Sequence, residues 1–472
     1  MSASVKRLSR RGMLKVGAGL LGAGALSACQ PVATPQVIEK VVTQIVEGTP
    51  QVVKETVIVE KTVEVPVGAG PVEIRGACYS MGDAWMANMD SIVADFSTAN
   101  PDVKVKWEWR PGQGFWEKLQ TEFAGGTAPD VCINQVNWVI PGAARGMFLD
   151  IKPFIERDAF DMSDVWYPTY EWEWQNGLYG FGSIAAANVV WMNKTILGNA
   201  GLEMPNDEFN WDDFLTYAQA MTDKANDQWG ALDFTGHPAT GCIGAFIVMA
   251  GGSVLNEAKD KCTINEPPCI EAAQFLVDLI YKHEVSPKSA DREGKENHFM
   301  TGKAAMTERG TWIEDQVRSA NLFDWDWCPY PKHPQTGKRT VMIGSNVWSI
   351  IANTQYRDAA WKFIAYLQTA PAQAKFAKYG IPTSKTVVES QEYIDAHKPQ
   401  NVSLVINEMD CCGHDYYITA DVDEWWNVLG QELDPMWSGE MSVEEALNNA
   451  TKAVDEVFAR RPEWYKNALG ES

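Results

Sequence analysis

Histidine is scarce, six residues in 472, and no two cysteines form a C-x-x-C pair. Without clustered imidazoles or paired thiols, no zinc site is expected. The chain contains no G-x-S-x-G, H-E-x-x-H, phosphate loop or Ser-His-Asp arrangement, so the common hydrolase and nucleotide signatures are missing and no cofactor is expected. No basic run occurs after residue 15, and the net charge is −22. A surface of that sign repels nucleic acid and anionic lipid, and it disfavours an anionic ligand. Arg75, Arg110, Arg145 and Arg309 are scattered rather than clustered, which points the same way. No apolar run reaches the roughly 20 residues that a bilayer-spanning helix needs.

What is present begins at the N-terminus. Lys6, Arg7, Arg10, Arg11 and Lys15 precede a short, Gly- and Ala-rich apolar run from Val16 to Leu26. The order of basic region, apolar region and small residues is that of an export signal. Arg10-Arg11 resembles a twin-arginine signal, and Leu26-Ser27-Ala28-Cys29 resembles a bacterial lipobox in which Cys29 is lipidated. Residues 1–29 are therefore expected to be removed up to Cys29, leaving a chain held to the outer face of the membrane by acyl groups. Residues 1–28 carry five positive and no negative charges, so the mature chain has a charge near −27 (−22 − 5). Residues 30–70, rich in Val, Glu, Thr and Lys and interrupted by Pro35, Pro50 and Pro66, read as an extended spacer without regular structure.

The remaining 400 or so residues suffice for two domains of ordinary size. Residues 72–80, 103–110 and 130–135 read as strands, and 87–102 and 114–126 as the helices between them. That βαβαβ order predicts a doubly wound α/β sheet with ligands beyond the carboxyl ends of the strands. Further helices are expected over 210–223, 269–283, 357–368 and 442–460, the first with Asn210 as cap and Asp213 as its capping-box partner. Strands are expected at 185–193 and 340–351.

Twenty tryptophans exceed what a core usually needs, and a surplus suits a site that stacks flat faces such as those of sugars. Cys262 and Cys269 flank a short loop and are the best candidate disulfide pair. Cys78 and Cys132 lie on strands that could be neighbours. Cys411-Cys412 could be two thiols, two separate disulfides or a vicinal bridge; the strained peptide that the bridge requires favours the first two.

From "FAGGTAPDVCINQVNW" onward the order of motifs becomes specific. "WEKLQTEFAGGTAPDV" (116–131), "WVIPGAARGMFLDI" (138–151), "NGLYGF" (176–181), "VVWMNK" (189–194), "FMTGKAAMTERGTW" (299–312), "GSNVWSI" (344–350) and "DAAWKFIAYL" (358–367) follow in sequence. Together they resemble family 1 of the extracellular solute-binding proteins, the carbohydrate receptors of ABC importers. The resemblance covers nearly all of 71–472. It implies two α/β lobes with a ligand cleft between them: 71–184 plus 347–400, and 185–346 plus 401–472. It also implies a monomer that binds a carbohydrate and serves an ABC permease.

The resemblance places Trp312 against the sugar, with core burial as the alternative. It places Trp426 on the cleft and offers Phe246 as a further contact; adjacent Trp425 would point elsewhere on a helix, so one of the two tryptophans is expected in the core. Gly344, Ser345 and Asn346 fall where the family's chain crosses between lobes, near ligand or as a hinge turn. By position past a strand's end, Asn137 and Trp138 suit polar and stacking contacts. Asp83 suits either a pair of sugar hydroxyls or a helix cap. The rival class is a carbohydrate-active enzyme using two carboxylates. Glu171 with Glu173, or Asp324 with Asp326, would supply them, although "EWEW" and "DWDW" read more simply as acids alternating with packed Trp.

Overall fold

The computed structural model describes residues 38–46, 49–57, 70–462 and 465, except 167–171, 236, 238, 240 and 289–297. The export segment and Cys29 lie outside the described residues. Within the expected spacer, Ile38–Val46 and Thr49–Val57 pair as an antiparallel hairpin, in register from Ile38 opposite Val57 to Val46 opposite Thr49. This corrects the reading of 30–70 as lacking regular structure. β-Branched residues dominate both segments, and Pro50 sits next to the start of its strand, where a missing donor costs least.

Gly70–Ser472 is a second, separate unit. Its first strand, Val72–Tyr79, pairs in parallel with both Val103–Arg110 and Val131–Gln135. Helices Asp83–Ala99 and Phe115–Ala124 make the two connections. This is the βαβαβ start that alternation and amphipathic spacing predict. The first helix begins four residues earlier than 87, because Trp85 in its opening turn is already buried against Phe376 at a 5.7 Å ring separation.

The sheet then continues through two long strands that come much later in the chain. Val341–Ile350 pairs antiparallel with Val131–Gln135 on one side and with Phe181–Asn193 on the other. Residues 181–187 of the latter face Val341–Ile350, whereas residues 188–193 pair with Ala304–Gly310 and Trp325–Cys328. Ala304–Gly310 in turn pairs in parallel with Trp229–Leu232. Two short strands, Ile381–Pro382 and Gly413–Asp415, add to these two long strands. The result is a mixed α/β sheet flanked by helices, with one contiguous apolar core along it.

The tryptophan surplus goes mainly to this core. Ten of the described tryptophans are buried, and "DWDW" is an instance: Trp325 and Trp327 close on Trp191 with ring centroids 5.0 and 5.5 Å away. The excess was therefore a poor guide to a stacking site.

The predicted disulfide is not formed. Cys262 and Cys269 are free and buried; the Cys269 thiol donates to the carbonyls of Ser253 and Thr263, both at 3.5 Å. Cys78 and Cys132 do lie on adjacent strands, but their thiols turn to Tyr79 O and Asn134 Oδ1. The bridge that does form is the disfavoured one, Cys411–Cys412.

Candidate functional site

A cavity of about 1490 Å³ opens where the strand ends converge. One wall begins past the carboxyl end of Val72–Tyr79, with Tyr79, Met81 and Asp83, and continues past Val131–Gln135 with Gln135 and Asn137. The floor is the middle of the two long strands, Ile184 to Ala186 and Gly344 to Asn346. The opposite wall starts where Ala304–Gly310 ends, in the single turn Thr311–Ile313 and the helix Glu314–Ala320. Tyr379, helix Gln391–His397 and Tyr416 complete the rim.

Trp312 is 52 % exposed, a large aromatic that the fold leaves in contact with solvent. Its ring lies across the backbone of Gly310, where a Cβ would meet the indole at 1.8 Å. Tyr416 lies over Gly344 in the same manner, at 2.8 Å from a Cβ there. Two glycines thus let two aromatic rings lie against strand backbone at the cavity wall, and Trp312 keeps about half its surface open to solvent.

The polar groups divide into those already engaged and those that are not. Tyr79 Oη donates to Asn346 Oδ1 at 2.6 Å, and Asn346 Nδ2 reaches Met81 Sδ at 3.8 Å. Ser345 is buried and borders the cavity with its Oγ already engaged, accepting from Trp172 Nε1 at 3.0 Å. By contrast, the Asn137 amide and the carboxylates of Asp83, Asp315 and Glu392 have no hydrogen-bond or ion-pair partner among the described residues. Asp83 is not a cap: it is the first helical residue, and Gly82 precedes it without a side-chain cap. At one end of the cavity, His397 Nε2 lies 3.4 Å from Glu314 Oε2, and Arg318 binds the other oxygen of Glu314. Burial works against both charges, but the contact outweighs it, holding Glu314 below the usual carboxylate range and His397 above the usual imidazole range.

Of the residues picked from sequence, Asp83, Asn137, Trp312, Gly344, Ser345 and Asn346 line the cavity. Trp138, Trp426 and Phe246 do not. Trp138 stacks on Trp116 (5.6 Å, 5° between planes) and Phe115, and braces Tyr79 edge-on. Trp426 donates to Tyr417 O at 3.1 Å, next to the cavity residue Tyr416, and Trp425 is fully buried. Phe246 is fully buried 4.8 Å from Trp211 and 5.7 Å from Phe275, because its helix Cys242–Ala250 is apolar on nearly every face. Sequence reasoning missed Tyr416, Tyr79, Tyr379 and the Glu314–Arg318–His397 cluster. Only the i, i+4 spacing of Glu314 and Arg318 gave a local signal.

The enzyme-type pairs lie elsewhere. Glu173 pairs with Lys152 at 3.7 Å, and Asp326 Oδ1 accepts from the amides of Asn401 and Trp327, both at 2.8 Å. Neither borders the cavity, and Glu171 lies outside the described residues.

A mixed sheet flanked by helices, with a cavity past its strand ends, is the architecture of the two-lobed sugar-binding proteins. The chain belongs to the bacterial extracellular solute-binding proteins: the family model matches residues 82–374, more than half of its length. It is similar to the maltotriose-binding protein of Pyrococcus abyssi, 23 % identical over 320 residues, 66 % of each chain. Among solved structures it is similar to an ABC substrate-binding protein from Listeria monocytogenes in complex with cycloalternan. That match has TM-score 0.74 and 25 % identity, covering 83 % of this chain and all of the other. The cyclic α-maltosyl-1,6-maltose binding protein from Arthrobacter globiformis matches with TM-score 0.72 and 23 % identity, at the same coverage.

Proposed function

We propose that this protein is a membrane-tethered receptor that binds a neutral oligosaccharide in the cavity and delivers it to an ABC import permease. The observation that carries the reading is the pairing of the exposed Trp312 ring, with half-buried Tyr416 also in the wall, and unengaged hydrogen-bonding groups in a cavity of about 1490 Å³. That exceeds the roughly 300–1,000 Å³ of ordinary small-molecule sites, and suits a ligand of several sugar rings. Carboxylates such as Asp83 and Glu392 accept from paired hydroxyls, and they repel an anionic solute such as a glycerol phosphate. The related proteins named for, or solved with, oligosaccharides support the same class.

In this reading Asp83 and Asn137 act from the first lobe, 71–184 plus 347–400. Trp312 acts from the second, 185–346 plus 401–472. The switch of partners along Phe181–Asn193 near residue 187 supports the first crossing. The bonds of Gln400 and Asn401 to Trp325 O and Asp326 support a third near residue 400. The protein acts as a monomer, held by lipid on Cys29, and it binds without turnover. Calorimetric titration against linear and cyclic glucans, followed by chromatography of the recovered sugar, tests this. Stoichiometric binding with the sugar unchanged is expected; cleavage of the sugar would make the protein an enzyme, and failure of every neutral sugar to bind would remove the reading.

A further inference from the structure

The Cys411–Cys412 bridge closes helix Val402–Cys412, and the next residues, Gly413–Asp415, form the strand that pairs in parallel with residues 341–343. Tyr416 follows at once and lies on Gly344 in the cavity wall. Both ends of this segment are pinned. One turn before the bridge, buried Glu408 accepts from the Tyr330 amide at 3.0 Å and pairs with Arg339 at 3.4 Å. Just beyond Tyr416, the Tyr417 amide donates to Ala239 O at 3.2 Å and its hydroxyl meets Ser253 Oγ at 3.1 Å. Between these anchors the chain must leave a helix, enter a strand and present a ring. A bridge between adjacent cysteines closes a small ring that includes their shared peptide, and so removes torsional freedom where the turn is made.

The bridge is also the chemically accessible one. Cys411 is exposed and Cys412 half-buried, whereas the six free cysteines among the described residues are all buried. Burial pushes the Cys78, Cys132 and Cys269 thiols up to about 12 and Cys262 to about 11, which keeps them protonated and unreactive.

We propose that the Cys411–Cys412 bridge is a positioning element of the binding cavity: it fixes the helix-to-strand turn that presents Tyr416 to the ligand, and its reduction by a dithiol weakens ligand binding. The exchange is balanced. The S–S bond between Cys411 and Cys412 breaks, the dithiol closes to its own disulfide, and its two protons end on the two cysteine thiols. This inference rests on the carbohydrate reading of the cavity.

The test uses the full chain in oxidised form, after treatment with dithiothreitol, and as the Cys411→Ser/Cys412→Ser variant, with maltotriose and cycloalternan as probes. Reduction and the double substitution are each expected to weaken binding about tenfold, about the loss of one ring contact. Tyr416→Ala should lose as much alone, with no further loss when combined with the serines, and reoxidation should restore wild-type affinity. Amide hydrogen exchange at 413–417 supplies a readout without ligand, and should quicken on reduction. Unchanged affinity in both reduced and serine forms, losses that add to that of Tyr416→Ala, or unchanged exchange would each overturn the proposal. An oxidised chain that binds neither probe nor any other neutral sugar sinks the carbohydrate reading, and the affinity claim with it. The exchange result then still decides whether the bridge orders the turn.

Discussion

Trp312 keeps half its surface in solvent while resting one face on Gly310. Truncating such a ring removes little from the folded core, so Trp312→Ala should leave the apo melting temperature nearly unchanged. It should weaken sugar binding about ten- to a hundredfold, the worth of a stacking contact of one to a few kcal/mol. Calorimetry and a melting curve together check this; a large fall in apo stability with unchanged affinity would make Trp312 a core residue. Glu308 is a residue-scale case of the opposite kind. Its burial, only partly offset by the Tyr330 hydroxyl at 3.2 Å, pushes the carboxyl up to about 8. The unfolded chain loses this proton near pH 4.5, whereas the folded chain holds it to about pH 8. Between those values the folded state binds more protons, so this group's contribution to stability falls as pH rises. Glu308→Gln should therefore melt several degrees above the wild type at pH 8 and close to it at pH 5; equal shifts at both pH values would show that titration of Glu308 is not the cause.

At the residue scale, the place of Asn137 in the cavity wall was legible because strand ends are marked by the change from alternation to helix, whereas Trp312 was legible through the family resemblance. Tyr416 was not, since its place in the wall depends on Gly344, 72 positions earlier (416 − 344). Phe246 misled for a related reason: an apolar helix without a polar stripe has no face to lend to a site.

Local elements were the most readable part of the chain. Asn210 and Asp213 form the predicted capping box, with each side chain bonded to the other's backbone at the start of Trp211–Ala220. Asn210→Ala should cost about 1 kcal/mol of stability without altering sugar affinity, as the cap lies outside the cavity wall. Denaturant unfolding measures the first and titration the second; a changed affinity would show that this helix is coupled to the site. Strands Val72–Tyr79 and Val103–Arg110 were equally clear from alternation. What alternation cannot carry is the identity of a strand's neighbour. Nothing local in "TVMIGSNVWSII" says that it pairs with residues 131–135, more than 200 positions away, because register is decided by long-range burial. The spacer hairpin was hidden by an irregular valine pattern that lacks a clean period.

For the whole molecule, the proposed lobe boundaries would make strands Phe181–Asn193 and Val341–Ile350 the hinge on which two lobes close over a ligand held from both sides. The radius of gyration from small-angle scattering should fall when the receptor binds a tight oligosaccharide, and should not fall in the Asp83→Ala/Asn137→Ala variant. A radius unchanged by a bound sugar would leave the fold intact and remove closure as the signal to a permease. Attachment belongs to the same scale. Cys29→Ala should release the receptor from membranes with its sugar affinity unchanged, read by cell fractionation; retention in high-salt washes would place the tether elsewhere.

The late strand Val341–Ile350 has one more consequence, for the order in which the protein is made. Val131–Gln135 finds its outer neighbour only when residue 350 has been synthesised, 215 residues after it (350 − 135). At about 5–20 residues per second this leaves a bare sheet edge on the nascent chain for roughly 10 to 40 seconds. During that interval the first βαβαβ unit is an incomplete sheet with an adhesive border, open to chaperones and to its own copies on neighbouring ribosomes. Slowing translation between residues 135 and 350 should lengthen that exposure, whereas the same slowing after residue 350 should not.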